Sequence, residues 1–205
     1  MNATGILIVV LFFGVLIGIV VLTIRWAIKQ NKKKTLIFTE FAKEHNLQYS
    51  FSKYMFATLN SVQGEYNGVQ LNIYEKMVGS GKNQQVVTTF TLASSGLNFD
   101  FSIGKEQFFS KTGKLLGFKD IEFGDAAFDK AFLMKSKSED EFRSLMNYEN
   151  QARLTAIKDD LAGTISCKDG LLSYSITGVL GHKKNREKFM NVLQFAIDLT
   201  KTRLR

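Results

Sequence analysis

Nineteen consecutive residues, 6–24 (ILIVVLFFGVLIGIVVLTI), carry no charge. At about 1.5 Å per residue they span close to the roughly 30 Å hydrocarbon core of a bilayer. A run apolar on every side has no polar face to turn to water, which excludes an ordinary amphipathic core helix. It also departs from a cleaved signal peptide. Met1 to Gly5 holds no cationic side chain, the apolar run is long, and Arg25 and Lys29 follow it in place of a small-residue cleavage site. The segment therefore predicts one transmembrane helix, with the bilayer as partner from Ile6 to Ile24.

The flanks predict orientation. No Lys or Arg precedes the run, whereas Arg25, Lys29, Lys32, Lys33 and Lys34 follow within ten residues. The positive-inside rule then puts the N-terminus outside and the body in the cytoplasm, in a single-pass arrangement at the cell (inner) membrane. Trp26 falls where an amphipathic ring favours the interface, and Arg25 can reach back to the headgroups. Lys29 and the Lys32 to Lys34 run are expected to face anionic lipid. Gly14 and Gly18 form a G-x-x-x-G pair whose spacing would allow two such helices to pack closely as a homodimer.

These five cations account for five of the eight net positive charges of the chain, since residues 1–34 contain no acid. The body keeps only three, and no nucleic-acid motif accompanies them, so nucleic acid is not an expected partner. With one cysteine, Cys167, the chain can form neither an internal disulfide nor a cysteine-built zinc site.

Past the basic edge, residues 35–205 read as a single soluble domain, and residues 1–34 as its anchor and juxtamembrane segment. Thr35 is placed to cap a short helix to about Asn46, although no Gly or Pro between Gly18 and Gly64 forces a break from the membrane helix. Beyond it the period becomes strand-like. Asn67-Gly68 and Asp169-Gly170 each sit between alternating segments and predict tight hairpins. Leu97, Phe99, Phe101 and Ile103 alternate with polar residues, and Ile121, Phe123, Phe128, Phe132 and Met134 continue the pattern. Ser138 with Glu141 reads as a capping box. A second helix is expected from Tyr148 to about Leu161, and Phe189, Val192, Leu193, Ala196 and Leu199 mark an amphipathic last helix. Strands in antiparallel runs with helices between and after them predict an α+β fold, its sheet covered on one face only.

The segment DIEFGDAAFDKAFLMKSKSEDEFRSLM, the ISCKDGLLSYSI hairpin and the long final helix resemble a widespread bacterial family of membrane-tethered proteins, a domain of unknown function. The likeness extends over residues 97–204, with a weaker echo in GEYNGVQLNIYE. It implies a bacterial source and an α+β body beside membrane helices, and it brings no catalytic residues with it.

Chemistry-bearing motifs are sparse. Gly79-Ser80-Gly81-Lys82 has Lys76 and Asn83 where a phosphate-binding loop needs Gly and Ser/Thr, and strands flank it on both sides. Ser50 to Lys53 fits S-x-x-K by letters alone, without its companion motifs. His45 and His182 have no neighbouring His or Cys. Cys167 shares a face with Ile165 and reads as an inert core thiol. Asp120, Glu122, Asp125 and Asp129 are explained by a solvated face and do not match a calcium loop. The run Lys183, Lys184, Arg186 and Lys188 opens a helix with cations, against the macrodipole, and is the candidate contact for an anionic partner. No cofactor or metal is expected. The sequence thus points to a non-catalytic interaction module, with an unidentified protein as partner. The alternative is a small membrane-tethered hydrolase or ligand-binding enzyme whose site forms only in three dimensions.

Overall fold

The structure is a computed structural model that describes residues 3–54, 57–109, 118–178 and 183–202. It is α+β, with one N-terminal helix long and apolar enough to cross a membrane. That helix, α1 (Ala3–Glu44), runs unbroken for 42 residues. From residue 11 to residue 30 every position is exposed, and only the last turns enter the body, where Lys34, Phe38 and Ala42 are buried. The expected boundary between residues 34 and 35 thus falls inside one helix. Thr35 is not a cap: its hydroxyl donates sideways to Asn60 Oδ1 at 3.2 Å. Asn46, at φ 55°, ends the helix in the left-handed position that C-caps favour, and Leu47 N returns to the Ala42 carbonyl at 2.7 Å.

The strands β1 (Gln48–Tyr54), β2 (Ala57–Tyr66), β3 (Val69–Val78), β4 (Gln85–Ala93), β5 (Phe101–Gly104), β6 (Lys119–Asp120), β7 (Leu133–Ser136), β8 (Ile165–Lys168) and β9 (Leu171–Thr177) form one sheet. Their order is β1-β2-β3-β4-β9-β8-β5-β7-β6, and every pairing is antiparallel. Both tight hairpins form. Asn67-Gly68 (φ 51° and 82°) and Asp169-Gly170 (φ 50° and 74°) adopt the doubly left-handed turn that matches strand twist.

Two neighbouring rows explain why the sheet has one dry face. Tyr49, Val62, Ile73, Phe90, Tyr174, Ile165, Ile103 and Met134 stand opposite one another, strand by strand, and form an apolar band. One residue away, on the other face, runs Gln48, Gln63, Asn72, Thr91, Ser173, Ser166, Ser102, Lys135 and Asp120. Since side chains alternate across a strand, a single register produces both rows, and slipping any strand by one residue would mix them.

Helices cover the apolar face. The end of α1 lies over β1 and β2, and α6 (Lys183–Thr202) lies over β4. The Phe90, Tyr174 and Phe189 rings meet there at centroid distances of 5.4–6.1 Å. Over the far half of the sheet, Phe142 of α4 (Glu139–Leu145) packs on Phe101 at 5.4 Å.

Several expectations need correction. The alternating run after residue 97 is strand only in β5, because residues 95–100 turn the chain. Between Ile121 and Met134 a short helix, α3 (Ala126–Ala131), interrupts the strand pattern, capped by Asp125, which accepts from Ala127 N and Phe128 N. Ser138 holds the N-cap position of α4 but makes no side-chain cap bond; its backbone N–H goes instead to Ser136 Oγ. The helix expected to reach Leu161 is α5 (Tyr148–Ala156), closed by turns. Among the described residues the remaining α-helix is α2 (Glu106–Phe109).

Candidate functional site at the helix–sheet junction

Where α1 meets the sheet, the apolar pattern of the dry face breaks. In β3 the inward positions run Val69, Leu71, Ile73 and then Glu75, whose side chain is wholly buried. Its partner is Lys34, 5% exposed, with Nζ 3.1 Å from Glu75 Oε2. Lys34 also donates to the Thr58 carbonyl at 2.6 Å. The same carboxylate oxygen accepts from Asn60 N (2.9 Å) and Asn60 Nδ2 (2.8 Å). Asn60 Oδ1 in turn accepts from Tyr49 OH (2.9 Å) and Thr35 Oγ1 (3.2 Å). Burial raises the Tyr49 phenol above its usual 10.0.

The network ties four elements, α1, β1, β2 and β3, together around one buried ion pair. Removing two charges from water is costly, and here the cost is offset by three hydrogen-bonding groups on the pair, the Thr58 carbonyl and the Asn60 backbone and side-chain N–H groups. Glu75 Oε1 is the exception, buried without a hydrogen-bond partner. The arrangement also explains how α1 continues through Lys32, Lys33 and Lys34. Like charges in one turn repel, but Lys34 is neutralised inside the body.

Lys34 was expected at the lipid headgroups. It is instead buried and paired, whereas Arg25, Trp26, Lys29, Lys32 and Lys33 are exposed. Gly14 and Gly18 lie on open surface, with nothing within 4 Å of an added Cβ.

The last-helix cations divide. Lys183 and Lys184 are exposed, with Lys183 loosely paired to Glu187 at 3.8 Å. Lys188 turns inward to the Asp159 carbonyl and lies 3.7 Å from Asp160. Arg186 lines a groove of about 250 Å³ between α1 and α6, with Ile37, Phe38, Phe41, Ile73 and Met190 as its apolar walls and Glu40 and Glu44 on its rim.

The remaining candidates have structural partners. Asp129 accepts from Phe123 N and Gly124 N at 2.8 and 2.9 Å, which folds the turn that Asp125 caps. Asp120 pairs with Lys135. Among the described residues no three His, Cys, Asp or Glu side chains could hold a metal. His45 packs tilted against Phe41 and edge-on against Tyr66, with centroids at 4.6 and 4.9 Å; His182 lies outside the described residues. The Gly79 to Gln84 connection joins two strands, as its flanks suggested, around a single 3-10 turn, Gly81–Asn83.

Cys167 sits in the core, 2% exposed, and burial pushes its thiol up to about 11. Only the thiolate reacts, so alkylation by iodoacetamide at pH 8 should run at least about a hundredfold slower than in the urea-unfolded chain. Equal rates in both states would show that the strand bearing it is open.

Asp100 organises the far end of the sheet. It accepts from Lys137 Nζ at 2.6 Å and from Asp169 N at 3.2 Å, and the Lys137 hydrogen bond foremost holds its carboxyl below the usual 3.8. A lowered folded value means the stabilisation is present above the unfolded value and lost as pH falls through the folded one. Asp100→Asn should therefore cost under about 1 kcal/mol at pH 7, and the gap to wild type should close below pH 3.8 in urea titrations.

Compared with known proteins, the chain matches no family model, no curated protein and no solved structure.

Proposed function

We propose that this chain is a single-pass, membrane-anchored, non-catalytic interaction module with its body in the cytoplasm. The observation that carries the reading is α1 itself. One continuous helix is apolar and exposed over a membrane's length, then becomes part of the core through Phe38, Ala42 and the Lys34–Glu75 pair. Anchor and body are one rigid piece, without the flexible linker that a domain foraging over a distance would need. Such a construction suits a part held at a fixed height and orientation on the inner leaflet, where a protein partner meets it.

The cationic flank supports the cytoplasmic side: Arg25, Lys29, Lys32 and Lys33 remain exposed beside the apolar stretch even with Lys34 withdrawn. The non-catalytic part rests on the side chains themselves, since the Asp125, Asp129, Asp100 and Glu75 carboxylates and the Cys167 thiol are all engaged in holding the fold. The family likeness adds a bacterial inner membrane as the setting.

Crosslinking in the native membrane, followed by purification in mild detergent, is expected to recover one recurrent protein partner. Repeated recovery of the chain alone would count heavily against the module. A reporter fused at Arg205 should stay protected from protease outside the intact inner membrane; digestion there would overturn the orientation.

A further inference from the structure

The register of α1 against the sheet sets the height of the body above the apolar stretch. Along β3, Glu75 meets Lys34, while Ile73 borders a groove with Ile37, Phe38 and Phe41. Two strand residues, about 6.6 Å, thus match about four helix residues, or 6 Å, so helix and strand run side by side in opposite senses. Continued in the same direction, Val78 comes level with the turn around Ile28. On the neighbouring strand Thr58 lies against the same stretch of α1, its carbonyl accepting from Lys34 beside a surface depression that extends along the helix from Ile28 to Thr39. The end of the β1–β2 hairpin, where Tyr54 pairs with Ala57, lies one residue further on. It is then only about 6–9 Å beyond Ile24, within reach of a headgroup layer.

Three facts about this end of the sheet point to one occupant. Its exposed cations are Lys53 on β1, Lys76 on β3 and Lys82 in the 3-10 turn, beside Lys29, Lys32 and Lys33 of α1. Across residues 11–36, 51–58 and 75–89 the single acidic residue is Glu75, and it is buried against Lys34. At the opposite end the charges are mixed, with Glu44, Glu65, Asp100 and Asp169 among Lys43, Lys137 and Lys168 near the turns. Tyr54, 38% exposed, accepts from Gln84 Nε2 at 3.2 Å and so joins the hairpin to the β3–β4 connection in one ledge.

We propose that this ledge is a second membrane-contact surface, on which Lys53, Lys76 and Lys82 rest on anionic headgroups of the bilayer that α1 crosses. The inference rests on the anchored reading above. It makes the body lie on the leaflet, braced by α1 on one side and by the ledge on the other. Short-range attraction between the ledge and lipid phosphates falls off within a Debye length, so the contact should be sensitive to salt.

The full-length chain in nanodiscs tests it, with one nitroxide label at a time at Ser80→Cys, Glu65→Cys or Ile17→Cys; buried Cys167 takes no label in the folded state. In phosphatidylcholine discs containing about 30% phosphatidylglycerol at low salt, the collision rate of the Ser80 label with a water-soluble nickel relaxer is expected to fall at least threefold relative to pure phosphatidylcholine discs. Glu65, at the far end, should not change. Either 0.5 M salt or the triple variant Lys53→Gln/Lys76→Gln/Lys82→Gln should restore the Ser80 value. A Ser80 label that stays fully water-accessible, or is shielded equally in both lipids, overturns the ledge. The Ile17 label decides the underlying reading separately: preferential contact with oxygen places it in lipid, and preferential contact with nickel would remove the anchor itself.

Discussion

Replacing Lys34 by methionine will destabilise the folded body by about 3–5 kcal/mol, the cost of leaving one member of a buried ion pair without its partner. The aliphatic volume is nearly kept, so packing is little disturbed. What changes is Glu75, its side chain 0% exposed, which would keep its donors from Asn60 but lose the Lys34 counter-charge. The stabilising route is to remove both charges. In Lys34→Met/Glu75→Gln the amide oxygen still accepts from Asn60, and nothing ionised is left inside, so at least half of the loss should return. Urea unfolding of the full chain in detergent, run as a double-mutant cycle, measures the coupling. A single-variant cost below about 1 kcal/mol would mean that the pair behaves like a surface one, and the rigid junction would lose its basis.

The junction was written in the sequence but not legible as a site. Glu75 occupies an inward register position after Val69, Leu71 and Ile73, which is a signal by itself, since an ionised residue on a dry face requires a partner. Lys34, Phe38 and Phe41 recur at helical spacing, which places Lys34 on the buried side. Neither signal identifies the other, because the pairing depends on how α1 crosses β2 and β3. That crossing is tertiary, and the obvious local explanation for a lysine after an apolar run is lipid. The apolar stretch, both left-handed turns and the one-sided sheet were readable because each follows from local chemistry: charge absence, Asn-Gly and Asp-Gly backbone freedom, and period-two alternation. β1 was not read as a strand. As an edge it leaves Phe51 and Tyr54 exposed and mixes Ser and Lys among them, so no clean alternation announces it. The α3 interruption was hidden for a related reason. Phe128 and Phe132 suit either period, and only the Asp125 and Asp129 bonds choose the helix.

The groove and the ledge share a dependence on how α1 and α6 sit on one sheet face, and that leads to the second large effect. Phe90→Ala should cost about 3–5 kcal/mol, since it deletes a fully buried ring between β9 and α6. Phe90 stands 5.5 Å from Tyr174 and 5.4 Å from Phe189, the latter edge-on at 74°, so the cavity would open in the middle of an aromatic cluster. Tyr174 can shift little to fill it, because its hydroxyl accepts from Ala162 N at 3.0 Å and its ring is 3.2 Å from the position a Cβ at Gly163 would take. Phe90→Leu keeps most of the volume and should lose less than half as much. Hydrogen exchange locates the damage: the amides of α6 around Phe189 and Val192 should lose protection first, while those of the membrane-length part of α1 should not change. Phe90 and Lys34 share no partner, so the two losses should add. For a body of ordinary stability, about 5–15 kcal/mol, the combined variant would be close to unfolded at the end of an intact apolar helix. A Phe90→Ala protein with native denaturant resistance would mean that α6 is not seated on the sheet as described.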